Sequence, residues 1–251
     1  MTAYHALRCI YIQMPKAGSS SIHAALVDEL RRRGSGEPPE HHHTSLARVY
    51  ADAADPHALD QYFAFTYVRN PYSRLVSLFL NHPGPSCFRY FVAVLVSKRD
   101  SGFLASWSRP QWTFVSMRGR VLVDDVFQIE RLDETWDTVC RRLSDNLGSA
   151  CRPTVGRLNA TPLSSTPFES APFQSFYTEE LRQAVWSLYR RDFDWFGYGA
   201  ELPEETTRPA DPPLHLVTHS APREGREVVT TEAGERGSAI RVARAVRVPK
   251  T

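Results

Sequence analysis

Residues 10–22, IYIQMPKAGSSSI, constrain the fold of this chain more than any other segment. An apolar, β-rich run that begins at Cys9 stops at a turn of small residues broken only by Lys16. From Ile22 to Arg33 the spacing turns helical, with Ile22, Ala25, Leu26 and Leu30 on one face, and breakers from Gly34 to Pro39 end it. A strand that feeds a helix through such a turn aims several backbone N–H groups, and the positive end of the helix dipole, at one point. That point suits an anion. Gly18 allows close approach, Ser19, Ser20 and Ser21 offer hydroxyls, and Lys16 supplies a mobile charge. The order of residues is not that of a nucleoside-triphosphate loop, which needs its lysine after the second glycine; here Lys16 precedes the turn's only glycine.

The same grammar recurs downstream. Tyr62 to Val68 reads as a buried parallel strand, and Arg69-Asn70-Pro71 leads into a helix carrying Leu75, Val76 and Phe79. Asn70 is a good N-cap, and Pro71 suits the first helical position. Arg69 and Ser77 are read as a pair for a terminal phosphate, and Arg74 as facing solvent. Val121 to Ile129 reads as a third strand, Asp133 to Leu143 as a helix, and Thr178 to Phe193 as an amphipathic helix with Leu181, Val185 and Leu188 inward. Alternating strands and helices predict an α/β fold: one domain with a central parallel sheet flanked by helices on both faces. Residues 1–200 form that domain, and the Pro- and charge-rich residues 201–251 read as a weakly ordered tail.

Composition excludes several classes. A net charge of +2 is too small to argue for a nucleic-acid partner. Cys9, Cys87, Cys140 and Cys151 lack metal-ligand spacing and read as reduced. The run from Phe91 to Val96 is too short to span a bilayer, and Met1 to Arg8 lacks a signal-peptide profile, so a cytoplasmic chain is expected. Nothing in the sequence sets the oligomeric state.

PKAGSSS after a strand, followed downstream by VRNPYSRLVS, resembles the paired motifs with which the sulfotransferase superfamily binds 3'-phosphoadenosine-5'-phosphosulfate (PAPS). The likeness is closer to the carbohydrate and uronyl O-sulfotransferases than to the small-phenol type, and it extends over about residues 8–198. Further stretches that carry it are Arg109-Pro110-Gln111, Glu130-Arg131-Leu132, Leu158-Asn159-Ala160-Thr161 and the run from Tyr177 to Tyr198. The resemblance implies a single P-loop-like domain. It implies that Lys16, Ala17, Gly18, Ser19, Ser20 and Ser21 grip the 5'-phosphosulfate, that Arg69 and Ser77 grip the 3'-phosphate, and that Asn159 contacts the nucleotide. PAPS is the expected donor and a hydroxyl of a glycan or other metabolite the expected acceptor, with no metal.

Relatives of the uronyl type carry a histidine between the two motifs that resembles a general base. Here Glu40 to Ser45 contains three, His41, His42 and His43, of which His43 matches best by position; neutral imidazole suits that task near pH 7. The chain departs from many glycan-type relatives in having Ser106, Trp107 and Ser108 where they place a histidine, and in lacking a membrane anchor. Two other functions compete with this reading. A P-loop kinase or nucleotide hydrolase would need an acidic magnesium site, for which Asp124-Asp125 is the one weak candidate; a non-catalytic nucleotide-binding protein would keep the fold without turnover.

Overall fold

The structure is a computed structural model, and it describes residues 3–35, 39, 43–81, 87–97, 106–117, 119–156 and 172–204. Its centre is a four-stranded sheet of β1 (Ala3–Tyr4), β2 (Cys9–Ile12), β3 (Phe63–Val68) and β6 (Asp125–Gln128), in that spatial order. β1 pairs antiparallel with β2; β2 with β3, and β3 with β6, are parallel. Strands buried on both faces must be apolar throughout rather than alternating, and β3, FAFTYV, is buried at all six positions.

Alternation along the strands divides the core in two. Ile10, Ile12, Ala64, Val68 and Val126 face a cluster completed by α2 (Leu46–Ala51), α3 (Pro71–Leu80), α4 (Phe88–Val96) and a long C-terminal helix (Glu179–Phe196). Cys9, Tyr11, Phe63, Phe65 and Tyr67 face the opposite way, against Ile22, Leu26 and Leu30 of α1 (Ser19–Arg32) and Val139 and Leu143 of α6 (Leu132–Leu147). The sheet is thus covered by helices on both faces, as the sequence predicts. Between α4 and α6 lie a short helix α5 (Trp112–Val115) and a small hairpin of β4 (Ser116–Met117) and β5 (Arg120–Val121). The C-terminal helix is α7.

Two boundaries differ from expectation. The third strand is not continuous from 121 to 129: Val121 belongs to the hairpin, and only Asp125–Gln128 joins the sheet. Asp124 separates the two, turning its carboxylate onto the Ala64 N–H at 2.8 Å while its own N–H donates to the Ala64 carbonyl. α1 begins at Ser19, three residues before the apolar periodicity starts, because Gly18 in the left-handed region (φ 71°) caps it. Residues 43–45 are irregular and lead into α2. The four cysteines are free thiols.

The parallel register sets Ile12 beside Thr66, and Val68 beside Gln128. The segments leaving β2, β3 and β6 therefore emerge at one edge, the carboxyl end of the sheet, where open α/β folds bind ligands. At that edge Asn70 caps α3: its side chain accepts from Tyr72 N–H at 2.9 Å, ahead of Pro71 at the first position. Asn70→Ala removes this bond in a buried place and is expected to cost about 1 kcal/mol, read as a lower midpoint in urea unfolding with an unchanged slope.

Candidate functional site

The loop leaving β2 is tightly wound. Lys16 takes a left-handed conformation, φ 62°, that non-glycine residues rarely adopt, and Gly18 follows at φ 71°. A Cβ on Gly18 would stand 2.6 Å from Ile129 Cδ1 and 3.1 Å from Ile129 Cγ1, so the absence of a side chain lets the β6 exit pack against the loop. The first intrahelical bond of α1 runs from Ile22 N–H to the Gly18 carbonyl. The N–H groups of Ser19, Ser20 and Ser21 consequently lie in the turn that a helix cannot satisfy internally, at its positive end. Ala17 is buried beneath them.

Arg69 leaves β3 next to this loop. Its Nη1 donates to the Lys16 carbonyl at 3.2 Å and its Nε to Ser73 Oγ at 3.0 Å. Gln111 holds the Arg69 backbone from both sides: Arg69 N–H donates to Gln111 Oε1 at 2.9 Å, and Gln111 Nε2 donates to the Arg69 carbonyl at 2.8 Å. Next along, Asn70 N–H donates to Glu130 Oε1 at 2.7 Å, and Tyr198 Oη donates to Glu130 Oε2 at 2.9 Å. Glu130 is thus a loop anchor. Ser77, half-buried on α3, stands one turn beyond Ser73, the hydroxyl that Arg69 engages.

Two cations share this edge, and both bear its electrostatic cost. Burial, helped by the nearby Arg69, lowers the Lys16 ammonium to about 8. Burial likewise pulls the Arg69 guanidinium below its ordinary value, with Glu130 opposing. Positive charge held this way is relieved by an anion, which gives the site its chemical character.

Arg74 is not solvent-facing. It is 3% exposed. Nε donates to the Pro15 carbonyl at 3.1 Å, and Nη2 to the carbonyls of Trp107 and Arg109 at 2.8 and 2.9 Å. Three carbonyls at loop ends draw the guanidinium inward. Beside it Asp192 is fully buried and accepts from the backbone N–H groups of Gln111 and Trp112 at 2.8 and 2.9 Å. Burial pushes its carboxyl up to about 6, against the pull of Arg74 and those two donors.

His43 is half-buried, its Nδ1 2.7 Å from the Gln13 carbonyl and its ring edge-on to Trp107 with centroids 4.6 Å apart. A carbonyl only accepts, so Nδ1 carries the proton and, in neutral imidazole, Nε2 carries the lone pair. His41, His42 and Asn159 lie outside the described residues. Asp124 and Asp125 are engaged elsewhere, the first with Ala64 N–H and the second with Arg142 at 3.0 Å.

A cavity of about 850 Å³ opens beside the loop. Gly18 and Ser21 of the loop line it together with Ile129, Trp136 and Arg152. Trp136 is fixed by its indole N–H, which donates to the Pro153 carbonyl at 2.8 Å. The volume is that of a site for a nucleotide-sized ligand.

The model of the sulfotransferase family matches residues 5–199, which hold the loop, Arg69, His43 and the parallel strands β2, β3 and β6 of the sheet. The chain belongs to the sulfotransferase family. It is therefore a transferase acting on sulfuryl groups. Comparisons with curated proteins and with solved structures gave no match. Among the described residues of this family member, no helix is long and apolar enough to cross a membrane, and no cluster of three or more His, Cys, Asp or Glu side chains could hold a metal ion.

The structure thus brings together Lys16, Gly18, the serines and Arg69, and sets His43 on the residue that closes β2. Sequence reading missed Gln111 as a backbone clamp, and it missed Asp192. A signal for the latter existed: an acid on the helical stripe of Val185, Tyr189, Phe193 and Phe196.

Because Lys16 titrates near pH 8, binding of inorganic pyrophosphate is expected to weaken as pH rises through that value. At pH 9 about a tenth of the lysine stays protonated. Calorimetric titration at pH 7 and pH 9 should show a loss approaching tenfold in the wild type and a flat response in Lys16→Gln.

Proposed function

We propose that this sulfotransferase uses PAPS as donor and a hydroxyl of a carbohydrate or other hydroxylated molecule as acceptor, releasing 3',5'-ADP. The observation that carries the reading is the joining of two separate motifs at one point, where Arg69 donates to the Lys16 carbonyl beside the open first turn of α1. A donor with anionic groups on the 3' and 5' positions of one ribose needs two anion-holding elements close together, with room beside them for the base. The adjoining loop 16–21 and Arg69, with a cavity beside the loop, support that reading.

In this reading the N–H groups and hydroxyls of Ser19, Ser20 and Ser21, with Ala17 and Gly18, hold the 5'-phosphosulfate. Arg69 and Ser77 hold the 3'-phosphate, and Asn159 adds a nucleotide contact. The acceptor oxygen attacks sulfur in line; the new S–O bond forms as the bond from sulfur to the phosphate oxygen breaks. His43 Nε2 takes the acceptor proton, its Nδ1–H held by the Gln13 carbonyl in the tautomer this requires. Lys16 faces the departing phosphate oxygen and offsets its growing charge, as a preorganised cation does without reorganisation at the moment of reaction. With its value lowered only to about 8, Lys16 is still mostly protonated at pH 7, as that task requires. No metal is required in this scheme. Residues 1–200 form the catalytic unit.

The test is incubation of purified protein with PAPS and a panel of neutral and acidic saccharides, without added metal, following 3',5'-ADP. Turnover is expected with at least one saccharide. Lys16→Ala and His43→Ala should each lower kcat by about 10²- to 10⁴-fold while 3',5'-ADP still binds. Failure of the wild type to bind 3',5'-ADP would overturn the donor assignment, and near-normal kcat in His43→Ala would move the base elsewhere.

A further inference from the structure

We infer that Arg74 is a positioning residue that locks the segment carrying Trp107 to the loop carrying Lys16, and so keeps the base in register with the donor site. The inference rests on the proposed role of His43 and goes beyond it.

The contacts form a closed circuit. Arg74 Nε holds the Pro15 carbonyl, one residue before Lys16. Its Nη2 holds the Trp107 and Arg109 carbonyls. The Trp107 ring packs edge-on against His43, and His43 Nδ1–H returns to the Gln13 carbonyl, two residues before Pro15. A planar guanidinium bonding three carbonyls from two segments fixes their separation and angle together, which a flexible ammonium does not. The remainder of the 107–112 segment is tied down separately, by Asp192 on the N–H groups of Gln111 and Trp112 and by Tyr189 Oη, which donates to the Ser108 carbonyl at 2.7 Å. Arg74 alone among these bonds connects that segment directly to the loop at Pro15.

Arg74 touches neither the reacting atoms nor the cavity, so its loss should fall on the placement of the base rather than on nucleotide binding. The loop keeps Arg69 on the Lys16 carbonyl and the packing of Gly18 on Ile129. With Arg74→Met, kcat is expected to fall about 10²-fold, as for a catalytic group displaced by about 1 Å, while the Kd for 3',5'-ADP stays within about threefold. Arg74→Lys should recover about tenfold of the loss, because an ammonium reaches only some of the three carbonyls. In a double-variant cycle with Trp107→Leu, the double variant should lose little more than the worse single one.

A second readout needs no donor. Ring ¹⁵N spectra of the protein at alkaline pH, assigned with His43→Ala, should show the Nδ1–H tautomer for His43 in the wild type and a mixture in Arg74→Met. If Arg74→Met fails to fold, Arg74→Lys replaces it in both measurements, with about a tenfold fall in kcat and a smaller tautomer change expected. A normal kcat, additive losses in the cycle, or a wild-type His43 spectrum in the variant would each overturn the inference. Absence of turnover with PAPS in the wild type would instead count against the proposed donor, and the spectra would still decide the role of Arg74.

Discussion

The packing of Ile129 against the bare α-carbon of Gly18 is the contact on which the rest of the site depends. It brings the β6 exit against the loop from β2, beside the left-handed turn that Gly18 makes just before α1 starts at Ser19. The first turn of α1, the left-handed backbone of Lys16 and the mouth of the cavity gather around that close approach. Strain of this kind persists only where surroundings over-determine it. Here they do so through the Lys16 carbonyl, held by Arg69, and the Pro15 carbonyl, held by Arg74.

What surrounds the loop is a polar lattice rather than oil. The buried Arg74, Gln111 and Asp192, the half-buried Arg69 and the exposed Glu130 each hydrogen-bond a backbone group at a segment end. Such groups would be costly if left unpaired away from water. The lattice gives the sheet edge a fixed set of cations before any ligand arrives, which is what charge stabilisation in a transfer reaction needs. It also explains why the ammonium of Lys16 loses protons more readily than an exposed lysine: it is partly desolvated beside a second cation.

Much of the fold was legible because its signals are local. The unbroken apolar run of β3, the helical stripe of α1 and the Asn70-Pro71 cap each follow from short-range periodicity or backbone chemistry. The loop from Lys16 to Ser21 was legible for the same reason, since small residues between a strand and a helix leave few alternatives. Arg74 was misread because an arginine early in an amphipathic helix looks solvated until the carbonyls of Pro15, Trp107 and Arg109 arrive from segments distant in sequence. Gln111 and Asp192 were hidden likewise, their partners being backbone groups that carry no side-chain signature. The break in the third strand came from Asp124, whose carboxylate replaces a ladder bond at Ala64. Sequence pattern reports faces and periods; it does not report which loop end meets which.

The proposed function requires one nucleotide to span the loop and the cavity. The most direct measurement is a crystal structure of the protein soaked with 3',5'-ADP. The 5'-phosphate is expected on the N–H groups of Ser19 to Ser21, the nucleoside in the cavity beside Trp136, and the 3'-phosphate on Arg69. A nucleotide bound away from the Lys16 to Ser21 loop, or none bound at saturating concentration, would contradict it.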